Sequence, residues 1–371
     1  MAPVSLVRVD GLFGRLAFLR AAAELRREPH FTPDLSIDFL HTTSRKNPFF
    51  RSAEIEWILA KRAGRVVGRA AAIVDRRSNE LHREKVVCFG YFEIADGDRE
   101  ATAALLDAAA AFGRARGMER LRGPVDLSTN YRIGLLVEGF ERPPTMMMPW
   151  NPPGHAELLD SAGLRKVKDV VAMEVNDQVI QTDRYERLAR RALERGGYAL
   201  RSIDMKRFPE ELRIFQRVYN EAWKENWGFV PLDYDELLYV ARGLKGVLRP
   251  EFCVVAEKQG EVAAFSLVVP DVAIAIREIG GKLLPFGFLR LLRRLKTIDR
   301  FRVLTLGVLE GHRSTGLDAA MYMEVTRRGF AAGIRSAEFG WMLEDNEAIL
   351  KPLRACGATV TKRYRIYERE L

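Results

Sequence analysis

An internal duplication is the feature that most constrains this 371-residue chain. Each half contains a short strand, a helix, a polar and aromatic connector and a glycine-containing β-hairpin; the hairpins are predicted over Glu54–Asp75 and Phe252–Asp271. The Val9–Val67 spacing agrees with the Ile203–Val262 spacing to within one residue. A repeat of this length indicates two copies of one folding unit, each with its own core.

Both halves continue in the same order after the hairpin: strand, long helix, strand, short helix and strand. In the first half, we predict these elements over Val86–Ile94, Arg99–Arg116, Met118–Val125, Ala156–Ala162 and Lys168–Val175. In the second half, we predict them over Arg302–Leu309, Gly316–Ala332, Ser336–Leu343, Asn346–Cys356 and Tyr364–Arg369. The pattern predicts an α/β fold with two tandem domains, 1–178 and 179–371, each a mixed twisted sheet flanked by helices.

Composition excludes several classes of protein. Hydrophobic residues make up 47% and charged residues 29% of the chain, a globular balance that argues against disorder. The three cysteines are far apart, so we expect neither a disulfide framework nor a metal. Charges at Arg8, Asp10 and Arg15 interrupt the first apolar residues, and we therefore expect a cytoplasmic protein without a signal peptide. The net charge of +9 favours a polyanionic partner.

The most specific local motif is GVLEGHRSTGLDAAMY, which begins at Gly307 and joins a strand to a helix. Backbone N–H groups at the start of a helix, the helix dipole and Arg313 together form a site for phosphate. Gly311 and Gly316 allow a ligand to approach the main chain.

With this motif in place, the order of elements resembles the GNAT superfamily of acyl-CoA-dependent N-acyltransferases. The resemblance implies that the loop binds the CoA diphosphate and that the preceding strand binds the pantetheine arm. It assigns the cofactor to Leu306, Gly307, Val308, Gly311, His312, Arg313, Ser314, Thr315, Gly316 and Asn346. An acyl carrier protein is an alternative donor.

Two departures from the GNAT pattern affect the second copy. Asp318 stands where the family usually has Gly or Ala, and Leu353 stands where it usually has a general-acid tyrosine. In the first copy the loop is replaced by the acidic segment Ala95–Glu100, which would repel a diphosphate. We therefore expect only the second copy to bind the cofactor, with the first shaping the acceptor site.

A narrower resemblance connects the chain to a group of bacterial tandem-GNAT proteins. It rests on the NWGF, PD, PFG, LEDN and YRIYE segments, which here are Asn226–Phe229, Pro270–Asp271, Pro285–Gly287, Leu343–Asn346 and Tyr364–Glu368. The group is associated with acylation of a sphingoid base, so the resemblance implies transfer of a long acyl chain to the primary amine of an amphiphilic acceptor.

Amide formation requires a neutral amine, because an ammonium group has no lone pair with which to attack a thioester. The resemblance makes Glu344 and Asp345 the first candidates for the base, with Glu310 and His312 next. Tyr322 is a candidate proton donor to the leaving thiolate, and Tyr364 and Tyr367 are further candidates. Each acidic residue has an alternative as a solvated loop residue or helix cap.

Two aromatic and methionine-rich stretches are candidates for the acceptor site. Soft apolar side chains beside amides suit a flexible chain attached to a polar head. The candidates are Asn130, Tyr131, Met147, Trp150 and Asn151 in the first half and Trp223, Trp227 and Phe229 in the second. Ordinary core packing is the alternative for all of them.

The second copy also carries an insertion at about residues 272–301. Apolar residues from Leu284 to Ile298, Phe288 among them, follow helical spacing, and Arg290, Arg293 and Arg294 fall on the opposite face. This basic amphipathic helix predicts peripheral contact with the anionic inner face of the membrane and entry of an aliphatic substrate beside Phe288. Packing of the stripe on its own sheet is the alternative, and nucleic acid is not favoured as the partner.

Three alternative functions stay open at this point. One is acetylation of a small polar amine, or transfer from an aminoacyl-tRNA. Another is a noncatalytic lipid-binding module, which Asp318 and Leu353 favour. A third follows from His155–Asp160, which matches the H-x-x-x-x-D pattern of glycerolipid acyltransferases.

Overall fold

The computed structural model describes residues 2–371, apart from the side chain of Arg184. It divides into two compact units. Unit 1 contains the chain up to Val170 together with Ala275–Leu291 and Lys362–Leu371, and unit 2 contains Val171–Ile274 and Leu292–Thr361. The units therefore differ from the consecutive halves 1–178 and 179–371 that the repeat suggested, because two segments of the second half belong to unit 1.

The first half follows the predicted order of elements. Its strands are β1 (Val4–Val9), β2 (Ala53–Arg62), β3 (Arg65–Asp75), β4 (Val86–Ile94), β5 (Arg120–Gly123), β6 (Leu135–Glu138) and β7 (Arg165–Asn176). Its helices are α1 (Gly11–Leu25), α2 (Ser36–Thr42), α3 (Arg76–His82), α4 (Arg99–Arg114) and α5 (His155–Ser161).

The second half repeats that order after an additional helix. Its helices are α6 (Asp183–Gly196), α7 (Phe208–Ala222), α8 (Tyr234–Leu244), α9 (Ala273–Glu278), α10 (Gly287–Leu295), α11 (Leu317–Ala331) and α12 (Glu347–Ala355). Its strands are β8 (Tyr198–Ser202), β9 (Val254–Lys258), β10 (Glu261–Pro270), β11 (Arg300–Val308), β12 (Ser336–Leu343) and β13 (Thr359–Glu370). The α/β fold class is confirmed.

The sheet of unit 1 has the order β1-β2-β3-β4-β5-β13. The final strand is antiparallel to β5, with Tyr367 opposite Gly123, and it also pairs with β6, where Tyr364 lies opposite Leu136. Tyr364 and Tyr367 are almost fully buried. This pairing explains why the last ten residues belong to unit 1 although they end the second half of the sequence.

The sheet of unit 2 has the order β7-β12-β11-β10-β9-β8. The hairpin β9–β10 is antiparallel, as the glycine-containing turn predicts, and β11 continues the antiparallel order with β10. Next, β11 and β12 run parallel, with α11 as the connection between them. The core of this unit packs between the sheet and α11 and includes Phe301, Met321 and Leu353.

The insertion folds as α9, a loop and α10. Within unit 1, a Cβ placed on Gly281 would lie 3.0 Å from the Cγ of Pro33. None of the residues of α10 is buried, although Leu291 and Leu295 are half-buried and Ile298, which follows the helix, is buried. Packing of the apolar stripe on its own sheet therefore stays an alternative to membrane contact. The helices within residues 2–371 all lack the length and apolarity needed to cross a bilayer.

Candidate active site

The candidate active site of unit 2 begins where two parallel strands separate. β11 pairs with β12 only from Arg300 to Val303, opposite Ser336 to Phe339. On its other side, β11 remains paired with β10 as far as Val308, which lies opposite Ala264. Residues after Val303 therefore have a strand on one side and an opening on the other, and this opening exposes backbone groups of β11 to a ligand.

Gly307 permits a close aromatic contact on β11. A Cβ at this position would lie 2.6 Å from Cζ3 of Trp223, which is closer than nonbonded carbon atoms approach. Trp223 in turn stacks on Tyr219, with the ring centroids 5.0 Å apart. The structure thus brings together the predicted cofactor-strand residue Gly307 and the predicted acceptor-side residue Trp223.

The loop between β11 and α11 has the backbone expected of an anion site. Ser314 and Gly316 adopt positive φ angles of 61° and 82°, and α11 begins after Gly316 without a side-chain cap. The N–H groups of its first turn are consequently available to an external acceptor. Arg313 is exposed, and its Nε donates to the Val308 carbonyl oxygen over 3.3 Å.

Side chains in and around this loop add two hydrogen bonds and one negative charge. His312 is held by Tyr198, whose hydroxyl oxygen lies 2.9 Å from Nδ1 of the imidazole. Thr315 donates to the His312 carbonyl oxygen over 2.8 Å. Asp318 lies half-buried in the first turn of α11, where its negative charge opposes that of a bound phosphate. The loop fits a diphosphate in backbone geometry, with Asp318 as an opposing charge.

An apolar cavity adjoins the opening between the strands. Its empty space, including the part open to solvent, is about 760 Å³. It runs beneath α11 beside β11 and β12, and its walls include Tyr185, Leu306, Tyr322, Met323, Phe330 and Phe339. The walls of this cavity are apolar and therefore suit an aliphatic group.

Tyr322 lies in the wall of the apolar cavity, with its ring 5.8 Å from that of Phe339. Burial raises the pKa of its phenol above the usual range, and the Asp318 carboxylate one turn earlier adds to the rise. The phenol is therefore protonated at neutral pH and is a weaker acid than an exposed tyrosine.

Two known proteins are similar in sequence to this chain over most of its length. The chain is 34% identical to the bacterial ceramide synthase of Caulobacter vibrioides (strain NA1000 / CB15N) over 340 residues, which are 89% of this chain and 87% of that protein. It is 32% identical to protein YghO of Escherichia coli (strain K12) over 352 residues, which are 93% of this chain and 89% of that one. The chain belongs to the bacterial ceramide synthase family. No family model matches it.

Solved structures confirm the fold of this family member as tandem GNAT. A tandem GNAT protein from the clavulanic acid pathway superimposes with a TM-score of 0.59 at 15% identity, covering 99% of this chain and 98% of the other. A GCN5-related N-acetyltransferase from Sphaerobacter thermophilus gives 0.56 at 13% identity, covering 100% and 97%. The membership of the bacterial ceramide synthase family, together with this fold, makes the chain an enzyme, a GNAT-type N-acyltransferase.

In the first copy, the segment that follows β5 fills the opening that corresponds to the one beside β11. There β4 and β5 are parallel only from Val86 to Cys88, opposite Arg120 to Arg122, and the following segment then returns to β4. The Val125 amide donates to the Phe89 carbonyl oxygen over 2.8 Å, and a Cβ at Gly90 would collide with the Val125 carbonyl oxygen. The chain itself thus lies along β4 where unit 2 leaves β11 open.

The helix that follows in the first copy is also closed to an external anion. Asp98 caps α4, accepting a hydrogen bond from the Ala101 amide over 3.0 Å, and its carboxylate binds Arg62 over 2.8 Å. Glu100 also binds Arg62, over 2.7 Å. The acidic segment therefore supplies the negative charge that the start of a helix favours, whereas α11 has no such internal cap.

The predicted residues after β12 lie at the start of α12. Glu344 is half-buried, and Asp345 is exposed. Asn346 occupies the N-cap position, but its side chain makes no capping hydrogen bond. The predicted roles of these three residues in proton removal and cofactor binding stay predictions.

The first-half acceptor candidates are divided between two environments. Trp150 and Asn151 line a second cavity, in unit 1. The Asn151 amide is fully engaged with backbone, since it accepts from the Leu136 amide and donates to the carbonyl oxygens of Leu136 and Pro152. Trp150 is buried and donates from Nε1 to the Phe140 carbonyl oxygen over 3.0 Å.

The remaining candidates of the first half lie outside the lining of that cavity. The Tyr131 hydroxyl accepts from Nδ2 of Asn47 over 3.2 Å, and the Tyr131 ring packs 6.0 Å from that of Phe49. Asn130 and Met147 are half-buried, and Met147 has a φ of 63°. Binding of substrate by these three residues stays a prediction.

The acceptor-site candidates of the second half differ in their exposure to solvent. Phe229 is buried, with its ring 5.8 Å from that of Tyr219, whereas Trp227 is half-buried. Phe288 on α10 is 46% exposed.

The structure does not support the H-x-x-x-x-D alternative. His155 is buried and Asp160 is exposed. Nε2 of His155 lies 2.9 Å from Nη2 of Arg26, and burial lowers the pKa of His155 to about 3, with the Arg26 charge adding to the effect. Because Arg26 is a donor only, this imidazole nitrogen is an acceptor that is already used.

Sequence reasoning missed several residues of the site in unit 2. Tyr198 orients His312, and Ser266 and Tyr185 line the apolar cavity. Tyr185 lies on α6, whose sequence DRYERLARRALERG has strong amphipathic spacing and could have been identified as a helix. Among residues 2–371, no cluster of three or more His, Cys, Asp or Glu side chains is arranged to hold a metal ion.

Proposed function

We propose that this N-acyltransferase transfers a long acyl chain from acyl-CoA to the primary amine of an amphiphilic acceptor such as a sphingoid base, giving an N-acyl amide. The apolar cavity beside the opening between β11 and β12 is the observation that carries this proposal. The apolar walls of this cavity suit an alkyl chain, which gains roughly 0.8 kcal/mol for each buried methylene group, whereas an acetyl group has no methylene group to bury. The 34% identity to a bacterial ceramide synthase supports the same chemistry.

The proposed donor site uses the loop and the opening together. The uncapped first turn of α11 and Arg313 bind the diphosphate of CoA. Backbone groups of β11 beyond Val303 bind the pantetheine arm, as in the edge pairing of a sheet. The acyl chain extends from the thioester into the apolar cavity.

The proposed chemistry needs a base at the acceptor ammonium and a proton donor at the leaving thiolate. Glu344, half-buried after β12, removes a proton from the acceptor ammonium, and the freed nitrogen then forms the bond to the thioester carbonyl carbon. As the carbon–sulfur bond breaks, Tyr322 donates its proton to the thiolate and takes up the second proton of the nitrogen, so that the phenol is restored and the neutral amide is released. In this proposal Tyr322 performs the role that the usual GNAT tyrosine would have at Leu353, which is buried in the core.

The exposed surface of the insertion supports a membrane source for the acceptor. Leu284, Phe286, Phe288, Leu289 and Leu292 are 82%, 67%, 46%, 45% and 52% exposed. Large apolar side chains are rarely exposed together unless they contact a partner. Arg290 and Arg293 lie exposed among them, so the surface combines apolar groups with positive charge and is complementary to an anionic bilayer.

A product assay tests the proposed reaction. Purified protein is incubated with a sphingoid base and acetyl-CoA, palmitoyl-CoA or palmitoyl-acyl carrier protein, and N-acyl products are measured by mass spectrometry. We expect amide formation with palmitoyl-CoA and little with acetyl-CoA. If product forms only with palmitoyl-acyl carrier protein, the carrier protein and not CoA is the donor. The absence of any long-chain amide would contradict the proposal.

Liposome flotation tests the membrane contact. Changing Arg290, Arg293 and Arg294 together to Glu should abolish flotation with vesicles that contain anionic lipid, because each basic residue near such a surface contributes about 1 kcal/mol. Changing three exposed arginines of other elements, Arg45, Arg65 and Arg99, to Glu provides a control of equal charge. Equal loss in both variants would contradict a specific role for α10.

A further inference from the structure

The end of α6 and the start of β8 lie beside the loop between β11 and α11, within unit 2. A Cβ placed on Gly316 would lie 3.2 Å from the Leu188 carbonyl oxygen and 3.8 Å from Cβ of Ala192. At the other end of the loop, the Tyr198 hydroxyl oxygen lies 2.9 Å from Nδ1 of His312. The later part of α6 therefore contacts one end of the loop, and the first residue of β8 contacts the other.

Arg195 lies between these two contacts in the chain. It is exposed and belongs to the last turn of α6. Because it follows Leu188 by seven residues, which is about two helical turns, it is on the face of α6 that approaches Gly316. Among the residues that the structure describes, Arg195 forms no salt bridge. A second exposed arginine is thus placed beside the loop, in addition to Arg313.

Acidic residues around the loop leave the charge of Arg195 available to a ligand. Glu310, at the start of the loop, lies 3.7 Å from Nζ of Lys224, which balances its charge. Glu194 precedes Arg195 by one residue and therefore points about 100° away around the helix. Asp318 lies half-buried in the first turn of α11 and opposes an anion there. Arg195 therefore offsets the charge of Asp318 beside the loop.

The contact with Tyr198 determines which nitrogen of His312 is available to a ligand. Nδ1 is occupied by the phenol, and Nε2 has no hydrogen-bond partner among the described residues. An anion at Nε2 selects the forms in which this nitrogen carries a proton, which are the imidazolium and the neutral imidazole whose Nδ1 accepts from the phenol. Tyr198 is buried, so it fixes the half-buried imidazole in one orientation.

We propose that Arg195 and His312 bind the 3′-phosphate of CoA, with Tyr198 as the residue that positions the imidazole. CoA carries this phosphate on its ribose in addition to the diphosphate, for which the uncapped start of α11 and Arg313 are the proposed partners. A phosphate dianion suits a guanidinium, whose planar fork of donors matches pairs of phosphate oxygens. This assignment rests on the proposed use of acyl-CoA as donor and deepens it, because the phosphopantetheine arm of an acyl carrier protein has no 3′-phosphate.

Isothermal titration calorimetry of the full-length protein with CoA and with 3′-dephospho-CoA tests the proposal. The two probes differ only in the phosphate that Arg195 and His312 are proposed to bind. We expect CoA to bind about tenfold more tightly, which corresponds to one charge-assisted hydrogen bond, and we expect the difference to shrink as salt screens the exposed arginine. Equal dissociation constants for the two probes would overturn the proposal.

Two arginine variants of α6 locate the effect. Arg195→Met should weaken the binding of CoA about tenfold and leave the binding of 3′-dephospho-CoA unchanged. Arg190→Met is the matched control, since Arg190 is exposed but follows Leu188 by two residues and lies on the opposite face of the helix. A retained preference for CoA in Arg195→Met, or an equal loss in both variants, would overturn the assignment.

Tyr198→Phe tests the positioning of His312, because it removes the hydroxyl and keeps the buried ring. We expect the preference for CoA over 3′-dephospho-CoA to fall about threefold, with the affinity for 3′-dephospho-CoA unchanged. A merely structural role of the hydroxyl would weaken the binding of both probes equally. That result, or an unchanged preference, would overturn the positioning role of Tyr198.

The product assay with palmitoyl-CoA separates this site from the proposed reaction. Amide formation by a protein that binds CoA and 3′-dephospho-CoA equally would overturn the 3′-phosphate site alone. Failure to bind either probe would overturn both the site and CoA as the donor.

Discussion

At the scale of single residues, the local environment decides which groups are able to transfer a proton. Tyr322 and His155 are both removed from water, yet with different consequences. Burial raises the pKa of the Tyr322 phenol, which therefore stays protonated in the wall of the apolar cavity. Burial lowers the pKa of His155 to about 3, and Arg26 occupies its Nε2. Both groups are therefore uncharged at neutral pH, with the Tyr322 phenol keeping its proton in the cavity wall and His155 having a structural role.

Tyr322→Phe is expected to lower kcat by about 10²-fold or more with little change in KM, because it removes the proposed proton donor and preserves the ring. Steady-state kinetics with palmitoyl-CoA measures the effect. Tyr185→Phe is the matched control: this tyrosine lines the same cavity, but its hydroxyl donates to the Pro352 carbonyl oxygen. A similar loss of kcat in both variants would argue against proton donation by Tyr322.

At the scale of elements, each copy has a corresponding pair of parallel strands, which is open in the second copy and covered in the first. β11 separates from β12 after Val303 and remains accessible, whereas β4 is covered by the segment that contains Val125. The following helices differ in the same sense, since α4 is capped by Asp98 and α11 has no side-chain cap. The open strand and the uncapped helix occur together in unit 2, which supports donor binding there.

Gly307→Ala is expected to destabilise the protein by about 1–3 kcal/mol and to impair activity, because the added methyl group would displace Trp223 from β11. Urea unfolding and steady-state kinetics measure the two effects. Gly246→Ala is the control, since a Cβ there has no atom within 4 Å and the residue lies outside the proposed site. Equal stability of the two variants would show that the contact of Trp223 with Gly307 is not tight.

At the scale of the whole molecule, the units do not follow the order of the sequence. The last strand pairs with β5 and β6, and Ala275–Leu291 also belongs to unit 1. Tyr364, Ile366 and Tyr367 of the last strand are buried there. Unit 1 therefore needs residues from the far end of the chain for a complete sheet and core.

A fragment of residues 1–178 is accordingly expected to be unfolded or aggregated, because it exposes the edge of β5 and lacks the buried tyrosines. Joining residues 359–371 to the fragment through a flexible linker should restore cooperative thermal unfolding, measured by circular dichroism. The same fusion with Tyr364 and Tyr367 changed to Ser is the control. A stable, cooperative 1–178 fragment would contradict this expectation.

Local sequence patterns were sufficient to predict most helices and strands and the loop between β11 and α11. The strands Val86–Ile94 and Ser336–Leu343 were predicted with the boundaries that the structure has, and the start of α11 was predicted to within one residue. Helices α2 and α8 were missed inside segments interpreted as connectors, and α6 was missed between the two copies. Apolar periodicity and glycine positions act over a few residues, so they are legible without knowledge of the fold.

The sequence alone therefore determined the duplication, the α/β class of each copy and the position of the glycine-containing loop between β11 and α11. Only the tertiary structure decided that the last strand joins unit 1, that Val125 closes the opening of the first copy, and that Trp223 contacts Gly307. These features depend on contacts between residues far apart in the chain. Strand partners and cavities are settled by packing of the whole core, which no short segment encodes.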